Sequence, residues 1–419
     1  MKAREFSYQA LCKICIDKTY SNLYLRKELD QVEKQDKALA TSIVYGTLQN
    51  ARYCRYQWEC YAQKAPKEEV AILLDMSIYQ LLFMDHLPQY AIVNEAVTIA
   101  KSKFGKKYGA LVNALLHKVC DHEKRTLPQD EWKALAIETS HPYWIVMMWK
   151  AQYGEDACRK ICYANNQKKK QCARVNEMKL TRDELLLKDP LFTKGDACDS
   201  CVYYDGDGLV HTTYYQEGVI SIQDASSQMV AFMVDPQKGE RILDVCSAPG
   251  TKACHMAERM QDEGEIICGD IHEHRVELIK QGANRLGLQS IDARVMDATC
   301  LEGLEEGSFD RVLCDVPCSG YGVLASKSDI KYHMQSEDMD TLIPLQAAIL
   351  KKASMMVKDG GVLVYSTCTL NKKENEKQVE KFLKENENFT LLEQRTIFPY
   401  EYDGDGFFMA KLIKRSSLQ

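Results

Sequence analysis

From residue 241 onward, short apolar runs alternate with segments of helical period, and that alternation leaves little choice of fold. Strands are expected at 241–246, 265–270, 292–296, 309–315 and 361–366, with two more near 389–397 and 407–413. Helices are expected at 252–261, 272–286, 341–357 and 374–385. Strands separated by helices must be rejoined over a sheet face, which gives a parallel, doubly wound sheet. The last two strands have no helix between them and read as a closing hairpin. Within this half, I-L-D-V-C-S-A-P-G-T-K at 242–252 reads as strand, tight glycine turn and helix start. Open α/β sheets bind their ligands at such strand ends.

The 419 residues have room for two or three domains. Three regions are expected: a helical domain over 1–138, an α+β connector over 139–219 and an α/β domain over 220–419. The first is read as a bundle because apolar residues recur at helical spacing: Leu74, Ile78, Leu81 and Leu82, then Val93, Ala96, Val97 and Ala100, then Leu111, Ala114, Leu115, Lys118 and Val119. Gly105 and Gly109 are read as punctuating a basic loop. It carries no catalytic constellation, so its expected job is binding. In the connector, Ser140 is the expected cap of a helix from 140 onward, with Pro142 at an early position. D-G-D-G at 205–208 is the expected turn between strands at 202–204 and 209–210.

Seventeen cysteines, an odd number, fit free thiols in a reducing compartment better than a disulfide scaffold. Two C-x-x-C pairs occur, Cys12/Cys15 and Cys198/Cys201, without a second pair at metal-binding spacing, so no metal is expected. The opening M-K-A-R-E-F-S-Y-Q-A lacks the apolar core of a signal peptide, and Val70–Met84 is broken by Asp75, Ser77 and Gln80. A soluble, cytoplasmic protein away from membranes is expected. The net charge of −6 argues against nonspecific coating of nucleic acid, but leaves local basic runs at Lys101, Lys103, Lys106, Lys107 and at Lys168, Lys169, Lys170.

Four features of the α/β half converge on a nucleoside-bearing donor. Pro249-Gly250 lets backbone pass close beneath a ligand. Asp270 ends the second strand, where an acid can accept from ribose hydroxyls. Asp297 ends the third and can accept from an adenine amine, and Asp315 ends the fourth. Carboxylates at strand ends suit a sulfonium cation better than a pyrophosphate. A dinucleotide enzyme would need G-x-G-x-x-G, and this turn has one glycine.

Cys318 and Cys368 each lie just past a strand end among turn residues, unlike Cys246, Cys268 and Cys314, which fall inside strands. Two such cysteines beside a donor pocket suit methylation of C5 of cytosine. That carbon becomes nucleophilic only after a thiolate adds to C6. An acid near ring N3 must meet the charge that this addition creates.

The motifs D-A-S-S-Q at 224–228, D-V-P-C-S-G-Y-G-V at 315–323, S-D-I-K-Y at 328–332, Y-S-T-C-T-L-N-K-K-E-N-E at 365–376 and E-Y-D-G-D-G-F-F at 401–408 occur in order around the 244–252 turn. Together they resemble the RNA cytosine-C5 methyltransferases. Residues 38–48, 78–84, 91–97 and 111–116 resemble the NusB-type RNA-binding helical domain, which narrows the resemblance to the RsmB (Sun, Fmu) group. The resemblance implies a Rossmann-like, S-adenosylmethionine-dependent methyltransferase fold behind a NusB-like bundle. It implies small-subunit (16S) ribosomal RNA as substrate, and a monomer is expected. Transfer RNA as substrate, or a NusB-like binding protein with a degenerate catalytic half, are the alternatives. Cys368 matches the family's nucleophile, Cys318 the cysteine that assists product release, and Asp315 the group facing the base at N3. Donor contacts carry over to Cys246, Ser247, Ala248, Pro249, Gly250, Thr251 and Lys252, and to Asp270, Asp297 and Asp315. Arg174 and Asn176 fall on an R-x-N element, either at the RNA groove or in an internal arginine–carboxylate pair. Two departures stand out: Thr251 where the family has glycine, and Ala325-Ser326-Lys327-Ser328 where it has two arginines and a proline. Lys327 and Lys331 are the expected substitutes for those charges.

Overall fold

The computed structural model describes residues 1–335 and 337–416. The chain divides into two compact units, Met1–Gln167 together with Leu324–Met334, and Lys168–Val323 together with Gln335–Gln419. The helix-then-α/β class expected from the sequence is what is found.

The first unit is helical. Helices Ala3–Cys15, Ser21–Glu28, Lys37–Glu59, Glu68–Phe83, Gln89–Phe104 and Lys106–Asp121 enclose one core that includes Phe6, Leu11, Ile43, Leu48, Leu74, Ile78 and Leu116. Periodicity placed the face of the Gln89–Phe104 helix well, with Val93, Ala96 and Ala100 buried, whereas Glu68–Phe83 is buried all round from Val70 to Ile78 and the expected Leu81 and Leu82 are only partly buried. It misplaced the last one: Val112, Leu115 and Leu116 are buried, whereas Ala114 and Lys118 are exposed. The basic stretch is not a loop either. Gly105, at φ +92°, is the single residue between two helices, and Gly109 lies inside the second. Ser140 does not cap the helix Tyr143–Tyr153. It sits at φ +55°, just past the helix Glu131–Glu138, where His141 N–H reaches back to Ala136 O at 2.8 Å. That closure is a helix C-terminal turn, and it leaves the Ser140 hydroxyl to accept from Tyr53 N–H at 2.9 Å.

Residues 324–334 belong to this helical unit, although they lie between strands of the other. Asp329 accepts from Ser21 N–H at 3.1 Å, Tyr332 O–H donates to Leu48 O at 3.1 Å, and His333 Nε2 lies 2.9 Å from Ile14 O. Lys331 is 3% exposed, with Nζ 3.3 Å from Gln49 O and 3.5 Å from Asn166 Oδ1. A buried lysine tied to protein carbonyls holds no RNA phosphate, so Lys331 does not replace the missing arginines; Lys327 is exposed. Burial, with the nearby Arg52, lowers the Lys331 pKa to about 7. The folded state therefore binds fewer protons than the unfolded state between about pH 7 and the ordinary lysine value near 10.5, and stability rises across that window. Lys331→Met should accordingly be more stable than wild type at pH 6, with the difference shrinking towards pH 10. Thermal unfolding across that range checks it, and parallel profiles would count against it.

The second unit contains two sheets. Strands β1 (Gln171–Val175), β2 (Phe192–Lys194), β3 (Cys201–Tyr204) and β4 (Ile220–Ile222) form an antiparallel sheet in the order β2-β3-β1-β4. The expected strand at 209–210 is a 3-10 turn, Leu209–His211, begun by Gly208 at φ +67°. Leu209 drops into the small core while Val210 faces outward, which a single turn achieves without a partner strand. Strand β3 pairs instead with β1 and β2. Arg174 on β1 is fully buried and makes a two-pronged pair with Glu258, at 2.8 and 2.7 Å. Its guanidinium also donates to Thr251 O at 3.0 Å. Of the two readings of Arg174, the internal ion pair is the one found.

The large sheet contains β5 (Arg241–Asp244), β6 (Glu265–Asp270), β7 (Ile291–Val295), β8 (Phe309–Asp315), β9 (Val357–Thr367), β10 (Phe389–Ile397) and β11 (Phe407–Lys414), in the order β10-β11-β9-β8-β5-β6-β7. Strands β5 to β9 are parallel, and β11 is antiparallel to both neighbours. The inner strands are covered on both faces, which is why Ile266–Cys268 and Val312–Cys314 are continuous apolar runs. Strand order reverses between β5 and β8, so the ligand crevice of such a sheet lies outside their carboxyl ends.

Candidate active site

Strand β5 delivers Asp244 to the crevice and the chain turns at once. Ser247 N–H donates to Gly269 O at 2.8 Å and Gly250 N–H to Ser247 O at 2.7 Å. Gly250 sits at φ +92°, and a Cβ there would lie 3.0 Å from Ile279 Cγ2, so glycine is required twice over. Thr251 opens the helix Thr251–Arg259 outside the left-handed region, so its branched side chain meets no backbone strain there.

Asp244 is 1% exposed, and neither carboxylate oxygen has a donor in full hydrogen-bond geometry, although the Ser247 hydroxyl and Cys246 N–H offset its burial in part. Burial, reinforced by the charge of Asp315, pushes its pKa up to about 7. An orphaned buried carboxyl group in a strand-end turn fits a cationic ligand. The folded form of such a group binds more protons than the unfolded form between about pH 4 and 7, so stability is lost as pH rises through that window. Asp244→Asn, without ligand, should flatten this slope and be more stable at pH 8 by up to roughly 4 kcal/mol. Denaturant unfolding at pH 5 and pH 8 tests it, and an unchanged slope would exclude Asp244 as the titrating group.

The neighbouring strand ends carry the other acids. Asp270 accepts from His272 N–H at 3.1 Å and pairs with Arg275 at 3.2 Å. Asp297 is exposed, and its Oδ1 accepts from Thr299 N–H and O–H at 2.8 and 2.7 Å, which holds its pKa below the usual range. With neighbouring strands about 4.8 Å apart, the edge from β8 to β7 spans roughly 14 Å, the length of an extended nucleoside with a side arm.

On the other side of β5, Lys252 Nζ lies 2.7 Å from Asp315 Oδ2, and Ser366 O–H donates to Asp315 Oδ1 at 2.8 Å. Burial works against the Lys252 ammonium, but Asp315 outweighs it and the pKa is raised, with the charges of Cys368 and Asp244 adding to the effect. Cys318 and Cys368 stand with their sulfurs 3.4 Å apart, on the turns that follow β8 and β9. The hydrogen bond to Cys368 comes first in pushing the Cys318 thiol up, followed by burial and the charges of Cys368 and Glu374. A thiol pushed up at Cys318 makes it the poorer thiolate of the pair, which favours Cys368 as the nucleophile. Gly322 permits this closeness: its N–H donates to Cys368 O at 3.2 Å, and a Cβ there would lie 2.1 Å from Gly406 O.

Thus Lys252, Asp315, Cys318 and Cys368 are gathered at β8 and β9, with the 246–251 turn and Asp270 beside them and Asp297 at the far edge. Cys246, expected inside a strand, instead lies two residues past the end of β5 in the turn, where it is half-buried and burial raises its thiol pKa. Sequence reasoning missed three residues: Asp244 as an orphaned acid, Ser366 as a donor to Asp315, and Glu374, which is buried between the two cysteine turns. For Glu374 a signal existed in E-N-E at 374–376, though local pattern placed it at a solvated helix start.

Among the described residues no helix is long and apolar enough to cross a membrane, and no group of three or more His, Cys, Asp or Glu side chains could hold a metal.

Comparison with known proteins agrees with this architecture. Residues 231–413 match the model described as 16S rRNA methyltransferase RsmB/F, residues 1–121 the NusB family, and residues 141–189 a ferredoxin-like domain of RsmF/B-like methyltransferases. The chain is 37% identical to the probable ribosomal RNA small subunit methyltransferase B of Bacillus subtilis, over 98% of both chains. It is 31% identical to the protein of the same description from Synechocystis, covering 99% of this chain and 100% of that one. Among solved structures, a methyltransferase homolog protein from Pyrococcus horikoshii matches 68% of this chain and all of its own, with a TM-score of 0.60 and 25% identity. On likeness of this extent, carried through both the helical and the α/β regions, the chain belongs to the RsmB family of ribosomal RNA small subunit methyltransferases.

Proposed function

We propose that the protein transfers a methyl group from S-adenosylmethionine to C5 of a cytosine in small-subunit (16S) ribosomal RNA, through a transient bond between Cys368 and C6 of the base. The observation that carries this reading is the pair of sulfurs 3.4 Å apart beside the Lys252–Asp315 pair. A single cysteine would suffice for a simple nucleophile. Two adjacent ones suit addition followed by assisted elimination.

Cys368 adds as the thiolate to C6, Asp315 faces the base at N3, and the Lys252 ammonium behind it offsets the negative charge that develops there. The donor, when bound, supplies an electrophilic methyl group. The 246–252 turn, Asp270 and Asp297 are assigned to hold it, and the orphaned Asp244 suits its positive charge. A base at the site then takes the C5 proton, the electrons of that bond form the C5–C6 double bond, the C6–sulfur pair returns to Cys368 as the thiolate, and Cys318 assists the release. The 1–138 region is assigned to RNA binding, 139–219 to a connector and 220–419 to catalysis, in a cytoplasmic monomer.

The test is incubation of purified protein with unmodified small-subunit ribosomal RNA and methyl-labelled donor, followed by nucleoside analysis. Label in 5-methylcytosine is the expected result. Label at another base position would overturn the chemistry, and label in transfer RNA alone would overturn the substrate.

A further inference from the structure

Glu374 is a fully buried carboxylate that the catalytic reading does not use. It accepts from Ser319 N–H at 2.9 Å, Ser319 O–H at 2.5 Å, Gln346 Nε2 at 2.9 Å and Asn371 Nδ2 at 3.0 Å. Ser319 follows Cys318 directly, and Asn371 lies three residues after Cys368. The Ser319 oxygen is also 2.6 Å from Thr369 Oγ1, which accepts from Tyr321 N–H at 3.1 Å. Gln346 holds Pro317 O at 2.9 Å, and Tyr365 O–H donates to Glu374 O at 2.7 Å. One carboxylate thus ties the turn that carries Cys318, the turn that carries Cys368 and the helix Asp338–Met356.

We propose that Glu374 is a positioning residue that locks the two cysteine turns together and thereby decides which sulfur attacks the base and which assists release. The inference rests on the proposed cytosine chemistry and deepens it. A purely mechanical tie could be neutral. A carboxylate at this point also places negative charge beside Cys318, which favours the thiol there. The other titratable groups facing Cys318 are Cys368 and Tyr365. Lys252 acts at the opposite end of the pair, on Cys368. The two sulfurs are chemically identical, so this asymmetry of charge is what distinguishes them.

The experiment compares wild type, Cys368→Ala, Cys318→Ala, Glu374→Gln and Ser319→Ala on small-subunit ribosomal RNA with labelled donor. Covalent protein–RNA adduct is read on denaturing gels, and alkylation of Cys318 and Cys368 in the free protein is read by mass spectrometry. Glu374→Gln should accumulate adduct as Cys318→Ala does. It should also raise the alkylation rate of Cys318 relative to Cys368 at neutral pH by about tenfold, the effect of one pH unit in the thiol. Ser319→Ala keeps the carboxylate and both sulfurs but cuts the hydroxyl link, and should show the same changes more weakly. It serves as the test if Glu374→Gln does not fold, as judged by its melting curve. Adduct with Cys318→Ala but none with the Glu374 and Ser319 variants, at an unchanged alkylation ratio, would overturn the role of Glu374 alone. No adduct with any variant and no 5-methylcytosine from wild type would overturn the cytosine chemistry, and this inference with it.

Discussion

Replacement of Cys368 by alanine should abolish methylation of ribosomal RNA, by a factor on the order of 10⁴ or more. Without a thiolate at C6, C5 has no enamine character, and no neighbouring group can supply it. Cys318 is 3.4 Å away, but it follows a different strand and its thiol is pushed up by Cys368, burial and Glu374. Affinity for the donor should change little, because the 246–252 turn and Asp270 do not depend on Cys368. Parallel measurement of donor binding and of label in RNA separates the two. Residual methylation above about 1% of wild type would show that Cys368 is not the nucleophile.

Glu258→Ala should destabilise the α/β unit by roughly 3–5 kcal/mol, the cost of leaving a buried guanidinium without its partner. Arg174 and Glu258 are 0% and 4% exposed at their side chains, so solvent screens the pair little. For a unit of this size the loss corresponds to about 10 °C in melting temperature. Donor affinity should fall with it, since Arg174 also braces Thr251 O at the mouth of the turn. The double variant Arg174→Leu/Glu258→Leu should recover part of the stability, because it removes the uncompensated charge. If the single variant melts within 2 °C of wild type by calorimetry, roughly the effect of 1 kcal/mol, water reaches the pair and the burial argument fails.

Much of this architecture is legible in the sequence because parallel strands buried on both faces must be apolar at every position. Ile266–Cys268 and Val312–Cys314 announce themselves on that ground, and the acids that end β6 and β8 mark the carboxyl edge. Amphipathic helices are harder to orient. Lys106–Asp121 has enough apolar residues that two faces compete, and the one chosen from spacing was off by a residue. Long-range pairing is harder still. Nothing local says that Arg174 meets Glu258 across 84 positions, or that Lys331 is buried rather than reaching for phosphate. Both are charged residues, and only their partners make burial tolerable. Glu374 belongs to the same class, since its four donors come from segments up to 55 residues away.

The membership of residues 324–334 in the helical unit also sets a clock on synthesis. Ser21 waits for Asp329, 308 positions later, which at ribosomal rates of about 5–20 residues per second is roughly 15–60 s. Until then Ser21 N–H lacks the carboxylate that accepts from it, and Ile14 O and Leu48 O lack the His333 and Tyr332 side chains that reach them. The helices can collapse early, but they close around this segment only when most of the catalytic half has left the ribosome. The gene therefore cannot be divided by a single cut into two complete units. A fragment beginning at 220 would carry the segment without its helices, and one ending at 138 would carry helices without the segment.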